Sequence, residues 1–207
     1  PTAIWTWRNG IIVAHPPHLS WFVDQDGDNV AEIREDWFVG FGRNNVQGLV
    51  NSLRWSPQGY IVGATSSAAA TLNTAWHEQH KDSETHEQPP LVLRGRDFAI
   101  DPLAKTIAAR TGGGQHGLFF NAFGDKFVTS NSDHLQQVVD FETWLSGRST
   151  SIPMPRARRS IAVDGPQAEV FRTSPVEPWR VVRTRLRTKG IVPGPVEGGG
   201  RAAGYFT

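Results

Sequence analysis

Apolar and polar residues alternate along many short stretches of this chain, and turn residues separate the stretches in pairs. In three segments an alternating run, a turn containing glycine and a second apolar run follow one another; the segments are residues 5–14, 53–62 and 118–128. Alternation with a period of two on both sides of a turn is typical of a β-hairpin. The pattern therefore predicts an all-β fold that is built from repeated hairpins.

The spacing of the repeat indicates a particular all-β architecture. The turn glycines Gly10, Gly59 and Gly124 recur at intervals of roughly 50 to 65 residues. Self-similarity near this period, with several short strands in each unit, is typical of a β-propeller. The chain has room for about three blades, and an insertion at residues 66–90 accounts for the longer second interval.

Two segments depart from the strand pattern. Residues 66–90 begin with small residues, continue with a polar and charged stretch and end in prolines, which predicts an exposed loop or a short helix. Residues 148–207 form a basic tail that proline and glycine interrupt. Between Trp179 and Arg187 the charges partly alternate with apolar residues, which predicts an exposed strand with one polar face. The whole of residues 1–207 is thus expected to be one partial propeller domain.

An acidic turn lies between an apolar run ending at Val23 and an alternating run that follows it, which predicts the tip of a hairpin. Its carboxylates occupy positions 1, 3, 5 and 9 of a twelve-residue calcium-binding loop; they are Asp24, Asp26, Asp28 and Glu32. Asn29 takes position 6, where glycine is usual, and asparagine tolerates a positive φ better than most residues. Bound Ca²⁺ is one interpretation. A polar turn without metal is the other, because Asp, Asn and Gly are common turn residues.

Composition excludes several classes of function. Lys and Arg number 21 against 20 Asp and Glu, so no overall charge points to nucleic acid as a partner. No apolar run approaches the ~20 residues of a membrane span. The chain has no cysteine, which excludes disulfides and a Cys-x-x-Cys-His haem attachment within it. Pro1 begins without a signal peptide, so we expect the sequence to start inside a longer or processed chain.

Candidate chemistry follows a run of three glycines. Gly112, Gly113 and Gly114 allow the backbone to approach another group closely, and they present Gln115 and His116 at the start of the next strand. A phosphate-binding loop is the weaker interpretation, because the Lys-Ser/Thr pair and the following helix of such loops are missing. Inter-blade loops line the channel of a propeller, so His116 is well placed for chemistry. A hydrogen-bonded structural histidine is the alternative.

Six short motifs follow one another along nearly the whole chain. They are Asp24-x-Asp26-Gly27-Asp28, Gly40-Phe41-Gly42, Asn51-Ser52-Leu53-Arg54-Trp55 with Gly59, Arg94-Gly95-Arg96-Asp97-Phe98, Gly113-Gly114-Gln115-His116-Gly117 and Asn131-Ser132. Their order resembles the PVC-type membrane-bound dehydrogenase domain, a family akin to the glucose/sorbosone dehydrogenase propellers. The resemblance implies a six-bladed β-propeller, an exported, periplasmic or membrane-associated location, oxidation of a sugar or alcohol, and a c-type cytochrome as partner.

The resemblance leads to an enzymatic hypothesis. In it the propeller channel holds a redox cofactor, pyrroloquinoline quinone. Arg96, Gln115 and Asn51 contact oxygens of the cofactor or substrate, and His116 accepts a proton as hydride leaves. Imidazole suits that role because its pKa lies near neutrality.

A second hypothesis is a propeller without chemistry that serves as a scaffold within a larger assembly, with Ca²⁺ stiffening one hairpin. Three departures from the family pattern favour it. The ring is incomplete, the haem-attachment motif is missing, and Asn45-Val46-Gln47 stands where the family pattern has histidines. In either hypothesis another chain or a further segment is expected to complete the ring, since open sheet edges invite aggregation.

Overall fold

The computed structural model describes residues 1–73, 90–131, 133–139, 156–163, 165–166, 175 and 178–193. The strands are β1 (Ala3–Trp7), β2 (Gly10–His15), β3 (His18–Val23), β4 (Ile33–Phe41), β5 (Asn51–Trp55), β6 (Ile61–Ala64), β7 (Ala70–Asn73), β8 (Leu91–Val92), β9 (Asp97–Asp101), β10 (Thr106–Arg110), β11 (His116–Phe120), β12 (Lys126–Ser130), β13 (Asp133–Val138) and β14 (Arg158–Ser160). A 3-10 turn (Val46–Gly48) precedes β5, and a helix, α1 (Pro178–Thr188), lies near the end.

The strands form three antiparallel sheets, and none of these closes on itself within the described ranges. The first sheet has the order β1-β2-β3-β4-β7-β8, the second β10-β9-β6-β5 and the third β11-β12-β13-β14. The predicted all-β class is therefore confirmed.

The three repeated hairpins of the sequence pattern are the pairs β1–β2, β5–β6 and β11–β12, one at the start of each sheet. Gly59 and Gly124 adopt φ values of +83° and +87° in the turns of the second and third hairpins, where a side chain would be strained. Strand β5 contacts both β1 and β11, so the first strands of the three sheets lie side by side. Stacking of Trp7 on Trp55, with ring centroids 5.6 Å apart, joins the first two.

The second sheet is buried on both faces, and this places it between the other two. Phe98 and Ile100 of β9 belong to the core cluster shared with the first sheet, whereas Ala99 between them packs with Leu118 and Val128 of the third sheet. In strand β6, Ile61 likewise belongs to the core cluster shared with the first sheet, and Val62 packs with the third sheet. A strand covered on both sides reads as a continuous apolar run, because neither face meets water.

Part of the predicted loop at residues 66–90 is strand, so that prediction is wrong for the segment Ala70–Asn73. Strand β7 pairs with β4, with Phe41 opposite Ala70, and β8 pairs with β7. The backbones approach closely, because a Cβ atom on Gly40 would lie 2.0 Å from the carbonyl oxygen of Thr71. Residues 74–89 of the predicted loop lie outside the described residues.

The predicted exposed strand in the basic tail is also wrong, because the segment Pro178–Thr188 is a helix. The Arg183 guanidinium lies 4.7 Å from the ring centroid of Trp179, one helical turn away. Proline at the first position suits a helix start, since its missing N–H has no intrahelical partner there. The apolar residues Trp179, Val182 and Leu186 fit a helical spacing as well as a partial alternation. No helix in the described part of the chain has the length and apolar character needed to cross a membrane.

A polar network covers the outer face of the first sheet. The buried Ser20 hydroxyl donates to Asp36 Oδ1 over 2.5 Å and lies 2.7 Å from His15 Nε2. Asp36 also accepts hydrogen bonds from Arg34 and faces His18 Nδ1 at 3.1 Å. Burial, followed by the charges of Arg34 and His18, lowers the pKa of His15 below its ordinary value. Burial opposes the shift at Asp36, but hydrogen bonds from Arg34 and Ser20 still hold the pKa of that carboxyl below its usual range.

We expect the free energy of unfolding to decrease as the pH falls below the ordinary histidine pKa of 6.5. Because folding lowers the pKa of His15, the unfolded chain binds a proton at a higher pH than the folded protein does. Acidification therefore favours the unfolded state, and the stability that neutral His15 contributes is lost. His15→Gln keeps a side-chain nitrogen for Ser20 but removes the titration, so the decrease between about pH 7 and pH 5 should be smaller in this variant. Urea denaturation across this range measures both; equal pH dependence of variant and wild type would contradict the assignment.

Candidate functional site

A polar cleft of about 530 Å³ lies where loops and strand ends from all three sheets meet. The residues that line it are Asn45, Gln47, Ser66, Ser67, Arg94, Gly95, Gly113, Gln115, Ser130, Asn131 and Arg158. They come from six separate segments of the chain. Within the part of the chain that the structure describes, two of these residues are arginines, none is an aspartate or glutamate, and none carries an aliphatic or aromatic side chain.

Hydrogen bonds between loops fix one wall of the cleft. The Asn45 side chain begins the 3-10 turn, since its Oδ1 accepts from the Gln47 amide at 3.1 Å. Its Nδ2 donates to Ser67 Oγ at 2.8 Å, which ties the loop before β5 to the loop after β6. The amide of Ala68 donates to the Gly48 carbonyl between the same two loops. Two loops that each connect the first sheet with the second therefore act as one wall.

The segment of three consecutive glycines reaches the cleft at Gly113, and it has no space for a side chain at any of the three positions. A Cβ atom on Gly112 would lie 1.7 Å from Asp97 Oδ2, one on Gly113 would lie 2.3 Å from the Gly95 carbonyl oxygen, and one on Gly114 would lie 2.5 Å from Val128 Cβ. The close approach predicted from the sequence is thus confirmed. What the glycines approach is the protein itself.

A buried ion pair lies beneath this glycine segment. Asp97 at the start of β9 is fully buried, and its Oδ2 lies 2.5 Å from Lys126 Nζ at the start of β12. The Gly113 amide donates to Asp97 Oδ1 at 2.8 Å, and Lys126 Nζ donates to the Thr111 carbonyl at 2.8 Å. The pair therefore joins the second sheet to the third and positions the glycine segment between them.

Gln115 lies in the cleft, and Asn51 supports it from outside. Asn51 Nδ2 donates to the carbonyls of Gln115 and Leu49 at 2.9 and 2.8 Å, so both of its amide hydrogens are used. Gln115 Oε1 accepts from the Asn131 amide at 3.2 Å. The side-chain nitrogen of Gln115 is left to donate a hydrogen bond into the cleft. Asn51 thus positions Gln115 and does not line the cleft itself.

Neither Arg96 nor His116, two of the residues chosen from the sequence, is among the residues that line the cleft. Arg96 Nε donates to the Arg110 carbonyl at 3.4 Å, and the Arg96 carbonyl accepts from the Thr65 hydroxyl. His116 is exposed at the first position of β11, and its carbonyl accepts from the Thr129 hydroxyl. The roles of Arg96 in cofactor binding and of His116 in catalysis stay predictions.

Sequence reasoning missed the two arginines that do line the cleft. Arg94 lies two positions before Arg96 in the same sequence motif, and Gly95 between them has a φ of +63°. This turn directs Arg94 and not Arg96 to the cleft, which the sequence alone does not reveal. Arg158 lies in the basic tail, where nothing in the sequence distinguishes it from its neighbours. Its pairing into β14 beside β13 brings it to the site.

The acidic turn is a second candidate site, and it is the tip of the β3–β4 hairpin, as predicted. Asn29 has φ of +70°, so it takes the conformation that glycine usually supplies at this position. Ligand atoms of four exposed or partly exposed carboxylates lie within 4.8 Å of one another; they belong to Asp24, Asp26, Asp28 and Glu32. Asp24 accepts hydrogen bonds from the amides of Gly27 and Asn29, which shape the turn. Oxygen ligands arranged in this way suit Ca²⁺.

Loss of one partner of the buried ion pair should destabilise the domain strongly. Lys126→Met leaves the Asp97 carboxylate buried without its cation, and we expect the free energy of unfolding to fall by about 3 to 5 kcal/mol in urea denaturation. The double variant Asp97→Asn with Lys126→Met removes both charges and should be more stable than Lys126→Met alone. A single variant as stable as the wild type would show that the pair does not hold the sheets together.

Calcium should stabilise the domain through the acidic turn. We expect Ca²⁺ in excess to raise the midpoint of thermal unfolding relative to EDTA, by the equivalent of about 1 to 3 kcal/mol. Asp26→Ala should remove this response, whereas Asp125→Ala, in the turn of the β11–β12 hairpin, should keep it. If Asp26→Ala responds to the chelator as the wild type does, the segment is a turn without metal.

Comparisons with known proteins point to one family. A search of curated proteins found no significant match, and a search of solved structures found none. One family model matches residues 1–204 of the chain. Because that match spans nearly the whole sequence, the chain belongs to the family described as "Domain of unknown function (DUF7133)".

Proposed function

We propose that this domain is part of a β-propeller whose remaining blades come from another chain or another segment. Each sheet contains a four-stranded antiparallel meander, which is the form of a propeller blade; the meanders are β1-β2-β3-β4, β5-β6-β9-β10 and β11-β12-β13-β14. The adjacency of β1, β5 and β11 supports the proposal, because the first strands of neighbouring blades line the axis of a propeller.

The outer faces of the first and third sheets support the same proposal. Ile4 and Ile11, on the face opposite the buried Ile12, are 55% and 39% exposed. On the third sheet Phe119 is 41% exposed and stacks on Phe127 with centroids 5.1 Å apart, on the face opposite the buried Leu118. Covering such residues with a further sheet would contribute about 25 cal/mol for each Å² of apolar surface buried.

We propose that the cleft binds a small, oxygen-rich molecule of the sugar or polyol class. The observation that carries this proposal is the lining itself: six segments converge on one cavity and bring only polar side chains and glycines to it. A binding site built from loops on a rigid sheet scaffold is a common arrangement. The described lining residues are hydrogen-bonding and cationic groups, which suit binding of such a molecule, so binding is the function we propose first.

Oxidation of the bound sugar or alcohol is the second candidate. His116 follows directly after the lining residue Gln115, and this favours it, because a proton acceptor then lies next to the cleft in the chain. When bound, pyrroloquinoline quinone would act as a two-electron acceptor. The side-chain hydrogen-bond donors of Arg94, Arg158 and Gln115 suit its carboxylates. In this scheme His116 takes the hydroxyl proton of the alcohol. A c-type cytochrome outside this chain and a location beyond the cytoplasm belong to the same proposal.

Binding in the cleft is tested with a panel of neutral sugars, polyols and sugar acids by isothermal titration calorimetry. Gln115→Ala removes one hydrogen-bond donor from the cleft, so affinity for a bound member should fall about fivefold, as expected for roughly 1 kcal/mol. Gln137→Ala, a matched change on β13 outside the cleft, should leave affinity unchanged. Failure of every member to bind, or equal affinities of the two variants, would contradict the proposal.

The same panel separates the two candidate functions. Protein supplied with pyrroloquinoline quinone is mixed with each bound molecule, and reduction of an electron-accepting dye is followed. Turnover that falls at least a hundredfold in His116→Ala would support oxidation, in keeping with the usual contribution of a general base. Binding without turnover, or turnover that His116→Ala leaves unchanged, leaves the domain as a binding module.

A further inference from the structure

We propose that the ligand of the cleft is acidic and that Arg94 and Arg158 hold its anionic group, a carboxylate or a phosphate. The inference rests on the proposed function, that the cleft binds a small oxygen-rich molecule, and it narrows the class of that molecule. The sequence resemblance led us to expect a sugar or alcohol as substrate. The side chains that line the cleft favour a sugar acid or a sugar phosphate instead.

The charges that line the cleft are all of one sign. Arg94 lies in the loop before β9 and Arg158 in β14, and none of the described lining residues is acidic. Arg94 is exposed and makes no hydrogen bond or ion pair with any residue in the described ranges. The Asp97 carboxylate beneath the glycine segment is already paired with Lys126. Among the described residues the charged side chains that line the cleft are therefore both cationic.

Arg158 is held at the cleft by one hydrogen bond. Its Nη1 donates to the Gly113 carbonyl at 2.9 Å. A guanidinium carries five N–H donors in a planar fork, so most of them remain for a ligand. The same fork can bind two oxygens of one carboxylate or phosphate, which a neutral hydroxyl cannot reproduce. The bond to Gly113 also connects Arg158 to the glycine segment that the buried ion pair positions.

The uncharged side chains of the cleft add donors as well. Ser66 is 5% exposed, and its buried hydroxyl oxygen has no hydrogen-bond partner among the described residues. Gln115 has its oxygen occupied by the Asn131 amide, which leaves its nitrogen as a donor. Asn45 has both ends of its amide engaged within the wall. An anionic group, which only accepts hydrogen bonds, matches this surplus of donors.

Position within a cavity strengthens the effect of these charges. Charge pairs in a partly enclosed site interact through a lower effective dielectric than pairs at an open surface. An acidic ligand would therefore gain more from this cleft than a neutral molecule of the same size, and its affinity should decrease as salt is added.

The test compares gluconate, glucose 6-phosphate and glucose by titration calorimetry at low salt, with inorganic phosphate as a competitor. Wild-type protein should bind at least one of the two acids at least tenfold more tightly than glucose, since a charge-assisted hydrogen bond contributes roughly 1.5 to 3 kcal/mol. Arg94→Gln should weaken binding of that acid about tenfold or more, by the same reasoning, and weaken binding of glucose much less. Phosphate should compete with the acid and not with glucose.

Two further variants keep the test decisive. Arg43→Gln makes the same charge change outside the cleft lining and should leave all three affinities unchanged. Arg158→Lys keeps a cation but loses the planar fork, and it should weaken the acid more than glucose. Arg94 has no partner among the described residues, so Arg94→Gln should fold as the wild type does, which circular dichroism checks.

Four results would overturn the proposal. If glucose binds as tightly as both acids, or if Arg94→Gln weakens glucose and acid equally, the cleft binds a neutral molecule and the proposed function stands without the acidic preference. If Arg43→Gln weakens the acid as much as Arg94→Gln does, attraction is due to overall charge and not to this cleft. If none of the three molecules binds, this proposal fails, and the wider panel then decides whether the proposed function fails with it.

Discussion

The pairing of Asp97 with Lys126 is the interaction on which the candidate site depends. A carboxylate with no exposure to solvent is costly unless a cation and hydrogen bonds compensate for the lost water. Here the cation comes from the third sheet and one hydrogen bond comes from the Gly113 amide. The pair therefore forms only when the second sheet, the third sheet and the glycine segment are all in place. Such an arrangement selects one geometry more than it adds stability.

The sheet that carries Asp97 is the centre of the described fold. Strands β6 and β9 are buried on both faces, so the second sheet contacts the first through Ile61, Phe98 and Ile100 and the third through Val62 and Ala99. Its loops consequently meet loops from both neighbours, and the cleft forms at that meeting point. Arg94 and Gly95 come from the loop that leads into β9, three and two residues before Asp97. Packing of the core and placement of the cationic wall are thus parts of one arrangement.

The sequence predicted the local features of this arrangement better than the long-range ones. Hairpins at Gly10, Gly59 and Gly124 were predictable because turn chemistry and alternation are both local signals. The need for glycine at 112, 113 and 114 was also predictable, but the groups that crowd them were not, since Asp97 and Val128 reach these positions only through sheet packing. Strand β7 was missed because Ala70 owes its strand conformation to pairing with Phe41, far earlier in the chain. Helix α1 was missed because the spacing of its apolar residues fits the period of a helix as well as the alternation of a strand.

The backbone of Gly113 connects the buried ion pair with the cleft. Its amide donates to Asp97, its carbonyl accepts from Arg158, and the residue lines the cleft. Amide hydrogen exchange at Gly113, measured by NMR in the free protein and with gluconate, reports on both the buried pair and the bound ligand. We predict protection in the free protein comparable to that of the β9 amides, and greater protection with gluconate. Exchange at the rate of an unstructured peptide, unchanged by gluconate, would contradict the account.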